Sequence, residues 1–480
     1  MGDELTDRQR WTRLLICIAV GAVIWFLPPP EGVDQQGWHI LAVFAATILS
    51  LLLRPYPMAV MVLAGLLVLI LTRQAGETSK EALEASLSGF ADTTVWLVVA
   101  AFLIAGAVIR TGLGRRLSLS LIHRLGKSPA GLAYGVGTAE LVLAPVVPSN
   151  TARGGGILAP IVDAMVRTVG EGKSAAETQQ LGRYLVSCGA QANLITAAMF
   201  LTGMAANPLV SAAADDVAGV RFGWIEWAMG AIVPGLIALA LLPQLMKRLA
   251  PPGAIDVSAA RAKARDDLAA LGPRRRAETI LMITLVCMLL LWASGPLHGI
   301  HTTVTAFLGI LALLLTRAQS WRQLAETWGA WDALVWLGGL LTMADMLKDR
   351  GVIDWFANHA ATWFDGMAPL AVALGLAIIY FYSMYGFSML TGHISAMVGA
   401  FIAVAVAAGA PPLLIVALLA YFSNLCGCLT HYSTGPTVIY FGLGYVSVPD
   451  WFRIGFFVSL FHMVIWLGIG LPWWKLLGWW

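Results

Sequence analysis

Charge is what this sequence has least of: only 12% of its 480 residues are Asp, Glu, Lys or Arg, while 59% are hydrophobic. A soluble domain carries roughly 25% charged residues, so the scarcity excludes one and marks a polytopic membrane protein. Cysteine is scarce too. Cys17, Cys188, Cys287, Cys426 and Cys428 all lie in apolar stretches, and only the last two are neighbours. They read as buried free thiols, because zinc takes about four ligands in reach; no disulfide, metal or cofactor is expected. H-E-x-x-H is absent, and His431 near Ser433 lacks the third group that orients a catalytic base, so an enzyme is not expected. The net charge of +3 follows the membrane rather than one patch, which gives no sign of a nucleic-acid partner. No signal cleavage site is visible either. Leu14 to Leu27 follows Arg8, Arg10 and Arg13 but ends in Pro28-Pro29-Pro30-Glu31, so it reads as a retained first span.

What is present is apolar helix. A span needs about 20 mostly apolar residues, and eleven stretches qualify: Leu14 to Leu27, His39 to Leu53, Met58 to Leu71, Val95 to Ile109, Tyr184 to Gly203, Trp224 to Met246, Thr279 to Trp292, Thr303 to Leu315, Ala333 to Leu347, Pro412 to Tyr432 and Phe452 to Leu471. Two longer apolar segments, about 130–166 and 369–408, are broken in the middle by small and polar residues. Each suits a re-entrant helical hairpin, since irregular backbone at membrane depth survives only where protein or water satisfies it. The fold class is therefore all-α: about eleven transmembrane helices plus two re-entrant hairpins. Thr78 to Leu87 is amphipathic and suits the interface.

With the N-terminus cytoplasmic, 23 of the 30 Lys and Arg fall in cytoplasmic segments, as such loops should carry the basic excess. The long polar connection 247–276 holds eight of them, including Arg274-Arg275-Arg276. The C-terminus is then outside, with Trp473, Trp474, Trp479 and Trp480 in the outer interface belt. The expected location is a bacterial-type inner (cytoplasmic) membrane.

Self-similarity supplies the organisation. "DTTVWLV" (Asp92 to Val98) matches "DALVWLG" (Asp332 to Gly338) at an offset of 240, and the same offset lays Ser149 to Arg153 over Met389 to His393. The chain thus divides into an N-terminal segment with the first span (1–36), a first repeat (37–246), the basic linker (247–276) and a second repeat (277–480). An odd number of crossings separates Trp96 from Trp336, so the repeats are inverted. Inverted repeats with interrupted helices meeting at the midplane are a signature of secondary transporters.

The hairpin tips are the candidate substrate site. Where a half-helix begins, unpaired backbone N–H groups and the positive dipole end call for an anion. Ser149, Asn150 and Thr151 add side-chain hydrogen-bonding groups, and Gly154, Gly155 and Gly156 permit close backbone approach. Arg153 lies at membrane depth, where an arginine is paired or functional. Its repeat counterpart is His393, beside Thr391. Two cations beside two tips point to a ligand with two or more negative charges; the alternatives are a buried Arg153–Glu140 pair and a neutral, hydrogen-bonded His393. A cationic His393 would make affinity weaken as pH rises through the imidazole titration. Two broken spans complete the set: Gln191 to Leu209 and Ser423 to Gly442. In the second, Thr434, Gly435 and Pro436 are the leading candidates. Asn193, Thr202, Asn424 and His431 are secondary candidates; Asn193, Asn424 and His431 serve equally well as interhelical hydrogen-bonding groups.

These residues carry a resemblance. Ser149-Asn150-Thr151 at a tip and the broken span ending in Thr434-Gly435-Pro436 resemble the divalent anion/sodium symporter family over nearly the whole chain. "PSNTARGGGI", "MFLTGMAANPL", "NLCGCLTHYSTGP" and "YFGLGYV" are most similar to its exchanger branch, which includes bacterial citrate/succinate and tartrate/succinate antiporters and the plastid 2-oxoglutarate/malate translocator. The resemblance implies di- or tricarboxylate exchange by an elevator-type mechanism in a homodimer embedded in the lipid bilayer. The sodium-coupled members carry a second Ser-Asn-Thr where this chain has Met389-Leu390-Thr391. Methionine and leucine offer no hard oxygen to an alkali cation, so only Thr391 is carried over as a substrate contact, and sodium-independent antiport is expected, with Arg153 and His393 supplying fixed positive charge in place of sodium. Sodium-coupled symport and an anion channel are the alternatives.

Overall fold

The computed structural model describes residues 6–480, and all regular elements among the described residues are helical. Helix starts follow local chemistry. Thr6 and Gln9 form a capping box ahead of Asp7–Phe26, the Asp92 carboxylate accepts from the Thr94 and Val95 N–H groups ahead of Thr93–Thr111, and Ser174 and Glu177 cap Ala175–Met199 reciprocally. Between such caps the chains are apolar, and what they bury depends on position. Asp7–Phe26 leaves Leu15, Val23 and Phe26 exposed, as suits lipid, and buries only Cys17. By contrast Pro412–Leu425 is buried throughout from Leu414.

Ten helices are long and apolar enough to cross a membrane. Two of them, Pro369–Gly386 and Leu390–Ala407, are the arms of the second hairpin. Two expected spans, Met58–Leu71 and Thr302–Leu315, are shorter apolar helices. The expected span at Tyr184 to Gly203 is the end of the 25-residue helix Ala175–Met199 followed by a 3-10 turn, Leu201–Gly203; Gln191 and Asn193 lower its hydropathy, yet it is buried from Tyr184 onward. The first hairpin has arms Pro129–Leu143 and Ala159–Gly170, joined through a wide π-helical stretch, Thr151–Leu158.

One series of elements occurs twice. Thr93–Thr111, Leu113–Leu125, the first hairpin, Ala175–Met199, the break at Leu201–Gly203, Asn207–Ala218 and Trp224–Leu249 are followed, in the same order, by Trp328–Asp349, Val352–Ala361, the second hairpin, Pro412–Leu425, the break at Cys426–Leu429, Gly435–Gly442 and Val448–Ile465. The short helices Ser79–Ser86 and Trp321–Ala325, each begun by a capping box, precede the two series in matching places. The two series interlock: Asn207–Ala218 packs on the second arm of the second hairpin, and Gly435–Gly442 packs on the π-helical stretch of the first.

Two expectations change, and the basic linker contains a helix: Ser258–Ala270 buries Ala260 and Ala264 and packs on Leu113–Leu125 and Ala159–Gly170. Arg116 fixes its far end, with Nε 2.6 Å from Glu278 Oε2 and Nη1 donating to the Gly272 carbonyl. The terminal tryptophans do not all lie in an interface belt: Trp474 and Trp479 are buried, and Trp474 Nε1 donates to the Gly230 carbonyl at 2.9 Å. An indole inside protein needs such an acceptor, and Gly230 leaves room for the rings. Finally, Cys287 is exposed on the apolar surface while the other four thiols are buried; all five are free.

Candidate functional site

The two hairpin tips and the second helix break meet at one place. At the first tip the arm ends at Leu143, a turn runs through Pro145 and Pro148, and the helix restarts at Thr151. The Ser149 hydroxyl accepts from Ala152 N–H at 3.1 Å, and the Ser149 carbonyl accepts from Arg153 N–H at 3.0 Å. Asn150 Nδ2 donates to Thr434 Oγ1 at 3.1 Å, joining residues 284 positions apart. At the second tip, Leu390 N–H donates to the Ser433 carbonyl at 2.8 Å. Ser433, Thr434 and Gly435 therefore lie between both tips. Gly435 has to be glycine: a β-carbon there would run into the Thr151 side chain.

Three helix N-termini converge here, at Thr151, Leu390 and Gly435. Each brings backbone N–H groups without intrahelical acceptors and the positive end of a dipole. Thr151 is exposed; Ser149, Thr391 and Gly435 are half-buried; Asn150, Thr434 and Pro436 are buried. Thr437, which is not among the candidates above, fixes the geometry of the break: its hydroxyl donates to the Thr434 carbonyl at 2.7 Å and accepts from Thr434 N–H at 3.1 Å.

Arg153 stands behind this site, not in it. Its side chain has no exposed surface, and its Nε lies 2.5 Å from Glu140 Oε2. Its Nη1 donates to the carbonyls of Val147 at 2.7 Å and Gly203 at 3.1 Å. The expectation that Arg153 presents free positive charge to a ligand is thus corrected: Glu140, the alternative partner, balances that charge. The guanidinium is instead a cross-link among three oxygens, one from the tip, one from the first helix break and one from the hairpin's entering arm. Asn193 extends the cluster, its amide donating to Glu140 Oε2 at 3.0 Å and to the Asn150 carbonyl at 3.2 Å. A β-carbon at Gly154 would meet Asn193 Nδ2 at 2.7 Å, whereas one at Gly156 would meet nothing. Close approach therefore explains the first of the three glycines and not the third.

His393 is corrected in the same way. It is fully buried, with Nε2 3.0 Å from the Tyr380 carbonyl and 2.8 Å from Ser383 Oγ. Tyr380 and Ser383 belong to the opposite arm, so the ring is a strut across the second hairpin. No carboxylate lies within ion-pair distance of it among the described residues, and a buried charge without water or counter-ion is disfavoured. His393→Gln, which keeps a donor for the Tyr380 carbonyl, is expected to retain transport with an unchanged pH profile, measured as initial uptake across pH 5–8; a lost pH dependence would restore the cationic reading.

The secondary candidates divide. Thr202 ties the first break to the first tip, donating to the Pro145 carbonyl at 2.7 Å and accepting from Trp224 Nε1. Asn424 Nδ2 donates to Asn207 Oδ1 at 2.8 Å and so joins the two broken spans; Asn207, at the start of Asn207–Ala218, is a partner the sequence reading missed. His431 is half-buried and packs on Phe441, 4.4 Å between ring centroids.

Comparison with known proteins adds the following. The model of the family described as "Sodium:sulfate symporter transmembrane region" matches residues 8–480. The putative malate transporter YflS of Bacillus subtilis (strain 168) is 42% identical over 467 residues, covering 97% of this chain and 96% of that protein. Chloroplastic dicarboxylate transporter 1 of Spinacia oleracea is 37% identical over 469 residues, 97% of this chain and 81% of its own length. The L-tartrate/succinate antiporter of Escherichia coli (strain K12) is 31% identical over 476 residues, 96% of this chain and 98% of that protein. Among solved structures, the YdaH transporter of Alcanivorax borkumensis is similar with a TM-score of 0.58 at 13% identity, covering 98% of each chain, a likeness of fold alone.

Proposed function

Since this chain belongs to the sodium:sulfate symporter family, also known as the divalent anion/sodium symporters, we propose that it is a secondary transporter that exchanges one di- or tricarboxylate for another without sodium. The convergence of three helix N-termini at Ser433-Thr434-Gly435 carries this reading. Ser149, Asn150 and Thr151 from one tip, Thr391 from the other, and Thr434, Gly435 and Pro436 from the break form the binding surface. Backbone N–H groups and dipole ends from separate helices suit carboxylate groups at the two ends of one molecule. The names of the relatives, which include malate, dicarboxylate and tartrate/succinate transporters, supply the substrate class.

Sodium independence follows from Arg153. Its donors already hold the Val147 and Gly203 carbonyls and the Glu140 carboxylate, a set of hard oxygens of the kind an alkali cation would otherwise gather. At the second tip Met389 and Leu390 offer no such oxygens. Obligatory exchange follows from the dipole ends: empty, they cross a low-dielectric barrier uncompensated, and a bound dianion compensates them. In this reading the hairpins and broken spans move together as an elevator against the remaining helices of a homodimer. The N-terminus is cytoplasmic and the C-terminus outside. The Ser388 hydroxyl donates to the Leu52 carbonyl at 3.3 Å, so the second tip lies beside the end of Gln35–Leu53.

In proteoliposomes, uptake of labelled succinate or 2-oxoglutarate is expected to require internal dicarboxylate and to persist in sodium-free medium. Sodium-dependent uptake into empty vesicles would instead make the protein a symporter, and unsaturable flux without counterflow would make it a channel. A competition series of C4 to C6 acids then ranks the cargo.

A further inference from the structure

A second concave space lies away from the tips. A cavity of about 510 Å³ is bounded on one side by Gly156, Ile157 and Pro160 of the first hairpin and on the other by Arg110, Arg115 and Arg116. Asp267 and Glu278 supply its carboxylates, and Arg275 closes it from the linker. Four arginines thus face two acids, and the acids are already engaged. Glu278 is held by Arg116 at 2.6 Å. Asp267 is bonded to Lys263 at 2.6 Å and only distantly approached by Arg115, at 3.9 Å. Arg110 spends Nε and Nη1 on neutral oxygens, Gln319 Oε1 at 3.0 Å and Thr327 Oγ1 at 3.1 Å, and has no acid within ion-pair distance among the described residues. The Arg275 side chain has no protein partner among them. The space therefore has an excess of positive charge that the protein itself does not neutralise.

We propose that this cavity is a second anion site, which binds a compact oxyanion of the phosphate type between Arg110, Arg115 and Arg275. Guanidinium groups favour such oxyanions through paired, charge-assisted hydrogen bonds. Gly156 keeps the hairpin wall open, since a side chain there would meet no protein atom and would project into open space. The position gives the site a consequence. Its walls belong to the hairpin that carries Ser149-Asn150-Thr151 and to helices outside it, so a bound anion joins the two and resists their relative movement. Exchange slows when the site is filled. The anion is either free in the aqueous phase or the phosphate of an anionic phospholipid, and the chemistry of recognition is the same.

The test uses the purified full-length protein with the cargo site saturated by succinate. Inorganic diphosphate binding is measured by calorimetry on the native protein, on Asn150→Ala, on Arg275→Gln and on Arg110→Gln/Arg275→Gln. Binding is expected to persist in Asn150→Ala and to weaken by about tenfold or more in the double variant; Arg275→Gln, which breaks no protein contact, gives a smaller loss in the same direction. In parallel, exchange and thermal stability are compared in phosphatidylcholine vesicles with and without phosphatidylglycerol. Slower exchange with phosphatidylglycerol, lost in the double variant, assigns the site to lipid; slowing by diphosphate alone assigns it to a free anion. Absence of both effects overturns the proposal, as does diphosphate binding that disappears in Asn150→Ala and competes with succinate. Failure of succinate exchange itself would count against the cargo reading and leaves the diphosphate measurement interpretable.

Discussion

Arg153→Ala is expected to reduce exchange by about two orders of magnitude and to lower the melting temperature of the purified protein. Removing the guanidinium leaves the Glu140 carboxylate fully buried with Asn193 as its remaining donor, and it strips the Val147 and Gly203 carbonyls of theirs. Breaking a buried ion pair by removing one partner costs about 3–5 kcal/mol, a large fraction of a typical total stability of about 5–15 kcal/mol. Two further variants separate the causes. Arg153→Lys keeps the charge but cannot reach three oxygens with a planar fork, so it falls between the extremes. Glu140→Gln with Arg153→Gln removes both charges; it is expected to recover most of the thermal stability while exchange stays impaired, because the tip is no longer tied to the first helix break. Thermal unfolding and single-turnover counterflow read the two effects independently. Wild-type exchange in Arg153→Ala would show that the cross-link is dispensable.

The second large effect is at Gly435. A β-carbon there meets the Thr151 side chain, including its β-carbon, so rotating a flexible chain end does not relieve the overlap. The first tip and the start of Gly435–Gly442 must separate, which also stretches the Asn150–Thr434 hydrogen bond. Overpacking of this kind costs about 1–3 kcal/mol, equivalent to a loss of roughly fivefold to 150-fold in affinity if it falls on the bound state. For Gly435→Ala the half-saturating succinate concentration should therefore rise by at least that lower factor, with a smaller change in maximal rate. Thr151→Ala added to Gly435→Ala removes two of the three overlapping atoms and should recover part of the affinity. An unchanged half-saturation in Gly435→Ala would mean that the tips do not meet the cargo at this junction.

The sequence and the structure divide the work along physical lines. Spans, hairpins and breaks are local matters: apolar runs decide where helix can sit in lipid, and Ser149-Asn150-Thr151 or Thr434-Gly435-Pro436 mark where it stops. Arg153 and His393 stood out for a sound reason, since ionisable groups at membrane depth are rare and demand an explanation. Which explanation applies depended on neighbours that spacing does not reveal. Glu140 was visible as one alternative partner. The Val147 and Gly203 carbonyls were not, because any backbone carbonyl is an equally good candidate until the fold selects one. Asn207 carries no such mark, because asparagine before proline reads as an ordinary helix start.

By itself, then, the sequence determined that the chain is a helical membrane protein built from one series of elements used twice, because hydrophobic length and interruption are properties of single segments. Only the tertiary structure decided that the first tip is completed by the second repeat through Asn150 and Thr434, that Asn207 and Asn424 pair across the broken spans, and that Arg153 and His393 each bond to groups within or beside their own hairpins. A buried polar group must find a partner, and the packing of distant helices settles which one.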